Sequence, residues 1–292
     1  MVVESLINPK NVLKEPHRVF FYSFIVSVLA VILSYYLFHD FASIASLAFI
    51  VIGLLPFVNK ILKVEEGVDV TLSSEKEMMK EHRKAIKVFL YIFLAISLAY
   101  LLFYLILPTE AINVLFNYQI ETITNINSVS GSSNMAGNMV SSHPFFIILL
   151  NNLRVLIFCI IFSFIYSSGA IFVMAWNASL ISVAIGSFIR NGISQLLNSF
   201  GSLSGFNYVH IFSVGILRYF LHGVFEVVAY LFAALAGGII SYAVINHHYQ
   251  SKRFYNVVFD SFDLIVLSII FLIIGALIEI YISPLIGVSI FS

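Results

Sequence analysis

The chain has 292 residues, of which 60% are hydrophobic and only 10% are Asp, Glu, Lys or Arg. Soluble domains carry about a quarter charged residues, so this chain has too few to cover a surface that faces water. Its 15 basic and 15 acidic residues give no net charge, which argues against a nucleic-acid-binding protein. With a mean hydropathy of +1.00, most of the chain is predicted to lie in lipid.

The sequence carries no pattern typical of a catalytic or cofactor site. Its single cysteine, Cys159, excludes an intrachain disulfide and a thiolate cage for zinc or iron–sulfur clusters. No phosphate-binding loop, dinucleotide-binding glycine pattern or zinc-protease motif is present. We therefore expect a protein that is not an enzyme and that needs no cofactor and no metal.

Long apolar runs predict the membrane spans, because a bilayer core of about 30 Å needs about 20 apolar residues in a helix. Such runs occur at Val19–Phe38, Phe41–Val58, Val88–Leu107, within Phe145–Ala175, at Val224–Ile245 and at Leu264–Ile282. The first run has spanning length and no cleavage site, so it is predicted to be an uncleaved anchor. It is predicted to form a helical hairpin with the second run.

The chain is predicted to divide into three regions. Residues 1–107 contain the hairpin, a charged cytoplasmic loop at Asn59–Lys87 and the third span. Residues 108–143 form an extracytoplasmic loop, and residues 144–292 form a second membrane module. The N-terminus is predicted to be cytoplasmic, because Asn59–Lys87 is rich in Lys and Arg while Pro108–His143 contains neither.

The extracytoplasmic loop is predicted to contain an interfacial amphipathic helix that Thr109 caps. Apolar residues recur there at helical spacing, which favours a helix lying in the headgroup plane of the membrane. These apolar residues are Ile112, Leu115, Phe116, Ile120 and Ile123.

Two apolar pieces of the second module are too short to cross a membrane unaided, Ala178–Ile189 and Val209–Leu221. In a seven-crossing topology the first piece continues past a buried Arg190, and Lys252 and Arg253 then face the cytoplasm. In a six-crossing topology it is a re-entrant half-helix. We prefer seven crossings because of the positive-inside rule. The predicted fold is all-α, a polytopic transmembrane bundle in the cell membrane with about seven segments, including short or re-entrant helices.

Polar side chains inside the predicted spans are the candidate functional residues, because such groups cost several kcal/mol each unless they are paired or hydrated. The intramembrane candidates are Asn151, Asn152, Arg154, Asn177, Arg190, Arg218, His222, Glu226 and Tyr230. The last four are spaced by four residues and share one helical face. We expect one buried cluster with Glu226 paired to Arg154 or Arg218, so that Glu226→Gln lowers stability in detergent.

Simpler interpretations of these residues stay open. Buried polar residues can fix helix register without doing chemistry, and Arg218 can extend to the lipid headgroups. The His222-x-x-x-Glu226 spacing offers two ligands where zinc needs three or four, so no metal site is predicted.

Small residues are predicted to let helices approach closely. The glycines in this group are Gly169, Gly186, Gly223, Gly237 and Gly238. A patch of alanines and glycines at Ala233–Gly238 is predicted to meet small residues near Ser163. The alternative use of such a patch is an interface in a homo-oligomer.

The second module also carries short motifs in a fixed order. They are Asn151-Asn152 with Arg154, Asn177 leading a helix that contains Gly186, His222-Gly223-x-x-Glu226 followed by Gly237-Gly238, and Glu279 with Pro284 five residues on. Over Pro144–Pro284 this series resembles the stage II sporulation protein M family. Two positions depart from the family's pattern, which commonly has glycine in place of Ala178 and proline in place of Leu221.

The resemblance implies a non-enzymatic scaffold or assembly factor for envelope remodelling that works with other membrane or envelope proteins. Members in spore formers act with peptidoglycan-degrading partners, but relatives occur in organisms that make no spores, so sporulation is not carried over. The alternative is a transporter or channel-like protein that uses the Arg/His/Glu cluster for ion or proton coupling, because broken helices with polar groups bind substrates in transporters. The two halves show no inverted repeat, which counts against this alternative.

Overall fold

The structure is a computed structural model that describes residues 16–71, 75–132, 144–165, 170–200, 202, 204–245 and 253–288. Every regular element in these ranges is helical, and seven of the helices are long and apolar enough to cross a membrane. The predicted all-α polytopic fold is therefore confirmed, as is the number of long segments.

The first half of the bundle begins with the predicted hairpin. Its helices are α1 (Pro16–Leu37), a 3-10 turn (His39–Phe41), α2 (Ala42–Thr71) and α3 (Glu75–Ile106). The Tyr22 hydroxyl donates to the Gly53 carbonyl at 3.1 Å and ties α1 to α2. A Cβ at Gly53 would lie 2.6 Å from Val26 Cγ1, so the hairpin depends on close approach at this point.

The predicted interfacial helix is two helices, α4 (Thr109–Leu115) and α5 (Asn117–Ser132). Their apolar face is covered by the bundle core, and Phe116 is fully buried. Gln119 is also buried; its amide oxygen accepts from Ser43 of α2 at 2.6 Å, and its amide nitrogen donates to Ser179 at 3.2 Å. The apolar face of this piece therefore packs on the bundle, and its location in the headgroup plane stays a prediction. Thr109 does not cap the helix, because the N-cap residue is Pro108 and makes no side-chain capping bond.

The helices of the second half begin and end at other residues than the apolar runs indicated. They are α6 (Pro144–Ile165), α7 (Ala170–Phe200), α8 (Gly205–Ile245), α9 (Arg253–Tyr281) and α10 (Ser283–Val288). The run Phe145–Ala175 thus belongs to two helices, and Ala178–Ile189 is the middle of α7 rather than a re-entrant piece. Val209–Leu221 is continuous with the span that follows it in α8.

Arg190 shows why a charged residue does not end α7. Its Nη1 donates to the carbonyl of Tyr104 at 3.1 Å and to that of Leu107 at 2.8 Å. These carbonyls lie at the end of α3, where a helix leaves its last acceptors unsatisfied and carries a partial negative charge. Arg190 therefore lies inside the protein, as the seven-crossing topology predicted, but apart from the other candidate residues.

Small residues bring α6 and α8 together, as predicted. A Cβ at Gly237 would lie 2.8 Å from the Ile160 carbonyl oxygen and 2.9 Å from Ser163 Cβ. Gly238 is buried beside it, and α6 packs along α8 within one chain. Gly186 likewise meets the Tyr104 ring, with its Cβ position 2.5 Å from Cδ1.

The remaining predicted packing glycines differ in their surroundings. Gly223 is buried, but a Cβ there would meet only Ile181 Cδ1, at 3.2 Å. This neighbour is the end of a flexible side chain, so the position is less demanding than Gly237. Gly169 lies outside the described residues.

We expect Gly237→Ala to destabilise the protein by about 1–3 kcal/mol, because the new methyl group overlaps a backbone carbonyl that cannot rotate away. Thermal unfolding in detergent measures the effect. The matched control is Gly205→Ala, where a Cβ has nothing within 4 Å. Equal melting temperatures for the two variants would show that α6 and α8 do not approach this closely.

Candidate functional site

A cavity of about 600 Å³ lies among α5, α6, α7 and α8, with a residue of α9 at its wall. Six of the nine predicted intramembrane candidates line it: Asn151, Asn152, Arg154, Asn177, Glu226 and Tyr230. Glu279 of α9 also lines the cavity, together with Asn125 and Tyr219, which the sequence interpretation did not single out. The cavity therefore collects most of the polar groups that the spans carry.

Asn152 of α6 is at the centre of the hydrogen bonds. Its amide nitrogen donates to Glu226 Oε1 at 2.6 Å, and its amide oxygen accepts from the Tyr230 hydroxyl at 3.2 Å. Only 7% of Asn152 is exposed. Because Glu226 and Tyr230 are one turn apart on α8, a single amide binds both side chains.

Glu279 of α9 lies beside Glu226, and both side chains line the cavity. Asn152, Glu226, Tyr230 and Glu279 therefore form one group, here called the polar cluster, to which α6, α8 and α9 contribute. Each of these helices thus places a polar side chain at the same point, so the cost of burying the group is shared among neighbours.

Gly275 explains how α9 reaches this position. A Cβ at Gly275 would lie 3.1 Å from Glu226 Cγ and 3.5 Å from Phe225 Cβ, so α9 and α8 are in close contact there. Glu279 follows Gly275 by four residues and shares its helical face. The Glu279 carboxyl group is thereby directed at Glu226. The sequence signal was present, since Glu279 is a charged residue in an apolar span.

The predicted ion pair of Glu226 with Arg154 or Arg218 is not formed in the described part of the chain. Arg218 precedes Glu226 by eight residues on the same helix, about 12 Å along its axis. Arg154 is exposed, and it follows Asn152 by two residues, which places it on a different face of α6. The Glu226 carboxyl group is bound by the Asn152 amide instead.

Arg218 and His222 contact residues outside the polar cluster. The Arg218 guanidinium carbon lies 5.5 Å from the centre of the Phe188 ring and 5.9 Å from that of Tyr219, which are cation–π distances. His222 Nδ1 and Ser283 Oγ are hydrogen-bonded at 2.9 Å, which ties α8 to α10. Pro284 is exposed in the first turn of α10, where proline is readily accommodated. The candidate residues therefore do not form the one buried cluster that the sequence predicted, because Arg218 and His222 lie apart from the polar cluster.

The observed chemistry of the site is hydrogen bonding. Among the described residues, no group of three or more His, Cys, Asp or Glu side chains could hold a metal ion. The asparagine and tyrosine side chains supply neutral donors and acceptors beside the two carboxyl groups. Apolar residues such as Leu150, Leu180 and Ala184 complete the wall.

We expect Glu226→Gln to melt close to the unmodified protein, because glutamine keeps an oxygen for Asn152 and supplies an N–H for Glu279. Glu226→Leu loses the bond to Asn152 and leaves a buried amide unsatisfied, which costs about 1–3 kcal/mol. Melting in detergent measures both, and Glu121→Leu at an exposed position of α5 is the control. A Glu226→Gln variant as unstable as Glu226→Leu would indicate that a full negative charge is needed, as in an ion pair.

Comparison with protein families finds that the model of the family Stage II sporulation protein M (SpoIIM) matches residues 20–284. Comparisons with curated proteins and with solved structures find no match. The family match begins in α1 and ends in α10, so it extends beyond the Pro144–Pro284 resemblance and includes the whole polar cluster. The chain belongs to the SpoIIM family, as a membrane protein with many apolar helices.

Proposed function

We propose that this protein is a non-enzymatic, transporter-like membrane protein that binds an amphipathic molecule in the cavity between α6 and α7. The lining of the cavity is the observation that carries the proposal. Asn152 and the carboxyl pair form a polar end, while Leu150, Leu180 and Ala184 are apolar. A volume of about 600 Å³ falls in the range typical of small-molecule sites.

The position of the polar cluster supports transport rather than surface binding. Glu226 lies 21 residues after the start of α8 and 19 residues before its end, about 30 Å from either end. Ionisable residues that far inside a membrane helix are typical of substrate and proton pathways. In the proposed mechanism the carboxyl pair is the proton-exchange group, and Asn152 and Tyr230 hold it in place.

We expect a lipid with a photoreactive acyl chain, reconstituted with the protein in vesicles, to cross-link to α6 and α7 at cavity residues. Ala184→Phe fills the cavity and should reduce this labelling about tenfold, the effect of roughly 1.4 kcal/mol of lost affinity. Ala48→Phe at an exposed position of α2 is the control and should label normally. Peptide mapping by mass spectrometry reads both results. If Ala184→Phe leaves the labelling unchanged, the lipid does not bind in this cavity and the proposed function is rejected.

A second candidate, a scaffold or assembly factor for membrane or envelope proteins, is favoured by the length of α8. Its 41 residues measure about 61 Å, twice the bilayer core. Because Arg190 binds the end of α3, the last ten residues of α7 extend past α3, and α8 begins beyond them. Phe206 and Val209 are 76% and 66% exposed there, a surface that a partner protein or a second copy could cover.

The two candidates depend on different surfaces, and this separates them. For a scaffold, Phe206→Asp should reduce the size of the native complex in mild detergent, while Ala184→Phe leaves it unchanged. For a transporter-like protein, Ala184→Phe reduces lipid labelling about tenfold and Phe206→Asp leaves it unchanged. Light scattering of the purified protein tells a second copy from a different partner.

The proposed orientation has the N-terminus in the cytoplasm of a cell-membrane protein and, with seven crossings, the C-terminus outside. It is supported by the basic residues of Asn59–Lys87 and by their absence from Pro108–His143. We expect reporter fusions at the two termini to report opposite sides of the membrane. Two reporters on the same side would reject an odd number of crossings.

A further inference from the structure

We propose that the cavity binds a zwitterionic lipid, whose anionic group pairs with Arg154 and whose primary ammonium group lies against the carboxyl groups of Glu226 and Glu279. This inference rests on the proposed function, because it names the chemistry of the molecule that the cavity would hold. It is drawn from the depth of Arg154 in its span, from the lack of a counter-charge for it, and from the acidic and apolar parts of the wall.

Arg154 is a cationic residue at the centre of a membrane span. It is the eleventh of the 22 residues of α6, so it lies about 15 Å from either end of the helix. Arginines near the end of a span extend their side chains to the lipid headgroups, but from the centre the headgroups are too far away. Arg154 is exposed and lines the cavity. Its charge therefore has to be offset at this depth.

The part of the chain that the structure describes provides no counter-charge for Arg154. Within the described ranges, none of its nitrogens lies within 4.0 Å of a carboxylate oxygen or takes part in a hydrogen bond. Glu226 and Glu279 line the same cavity, so the wall carries a cation and two acids that do not pair with each other. An anionic group of a bound molecule would supply the partner that Arg154 needs.

The acidic part of the wall can accept hydrogen bonds from a ligand. Asn152 donates to Oε1 of Glu226 and accepts from Tyr230, so it is a positioning residue and not a ligand contact. Carboxyl oxygens can accept more than one hydrogen bond, so Glu226 and Glu279 have capacity for a further donor. A primary ammonium group offers three N–H donors and a positive charge. A trimethylammonium group has the charge but no donor.

Head groups with only one kind of charge fit this wall less well. An anionic head group pairs with Arg154 but adds a negative charge beside two acids. A cationic head group meets the reverse, and an uncharged one leaves Arg154 without a counter-charge. A zwitterion supplies both partners at once, and its own two charges cancel. It therefore brings no net charge into the membrane.

The apolar part of the wall accounts for the rest of the molecule. Ile147, Leu150, Leu180 and Ala184 line the cavity beside the charged groups, so an acyl chain can lie against them. A small soluble zwitterion would leave these side chains without a partner. The cavity therefore fits a zwitterionic lipid better than a free amino acid or free phosphoethanolamine.

The experiment is a competition against the photoreactive lipid, with the full-length protein in maltoside micelles, which add no charged head group. The competitors share the same acyl chains and differ only in head group: phosphatidylethanolamine, phosphatidylcholine, phosphatidylglycerol and monoglucosyl diacylglycerol. We expect phosphatidylethanolamine to reduce cavity labelling at a concentration about tenfold lower than each of the others, a difference of roughly 1.4 kcal/mol. Free phosphoethanolamine, added at the same concentrations, should leave the labelling unchanged.

Variants then test each charged part of the wall. Arg154→Gln should abolish the advantage of phosphatidylethanolamine over the glucosyl lipid, and Arg154→Lys should keep it because the positive charge remains. The double change Glu226→Gln with Glu279→Gln should abolish the advantage over phosphatidylglycerol. Arg83→Gln, an exposed change on α3 outside the cavity, is the control and should keep both advantages. A circular-dichroism melt shows that each variant is folded.

Each remaining outcome has a defined meaning. A stronger effect of phosphatidylglycerol or of the glucosyl lipid, or equal effects of all four lipids, overturns the zwitterion inference and leaves the amphiphile-binding function standing. Phosphatidylcholine as effective as phosphatidylethanolamine rejects the primary ammonium group, and competition by free phosphoethanolamine rejects the lipid. Unchanged advantages in Arg154→Gln reject the role of Arg154. Labelling that no lipid competes for, and that Ala184→Phe does not reduce, overturns the proposed function itself.

Discussion

The hydrogen bond that joins Asn152 to Glu226, beside Glu279, is the constraint on which the second half of the bundle depends. Lipid cannot solvate carboxyl groups, so these side chains must lie against polar neighbours inside the protein. This contact ties α6 to α8 at the point where α9 brings Glu279. Tyr230, bound to the same asparagine, prevents the amide from turning away. The cavity stands beside this junction because the helices meet there through polar side chains.

Close packing makes the junction possible. Gly237 lets α8 lie against the backbone of α6, and Gly275 lets α9 lie against Glu226. Between membrane helices, packing and hydrogen bonds replace the hydrophobic driving force, because lipid is as apolar as the side chains. Arg190 and Gln119 act in the same way at other places: each lies where backbone or side-chain polar groups of two helices meet. At these places a buried polar residue binds two helices together.

The sequence predicted which residues of the site are unusual better than it predicted their partners. The periodicity of Glu226 and Tyr230 on one helical face was readable, and six of the nine candidates do line one cavity. The predicted partner of Glu226 was wrong. Opposite charge suggested an arginine, whereas the structure places the Asn152 amide and the Glu279 carboxyl group beside Glu226. The spacing of residues along one helix shows which of them share a face of that helix. It does not show which face of α6 or α9 packs against α8, because that depends on the register between helices.

Composition and apolar run length by themselves determined that this chain is a helical membrane protein of about seven segments, since only a helix satisfies its backbone within lipid. Tertiary contacts decided where the helices end and what they pack against. Helix α7 continues past Arg190 because two carbonyls at the end of α3 accept from its side chain. Helix α5 packs on the bundle, where Gln119 is hydrogen-bonded to Ser43 and Ser179. The cavity, too, is a product of helix packing. A charged or polar residue in an apolar run indicates a free-energy cost of burial. Only the folded chain shows which neighbouring group offsets that cost.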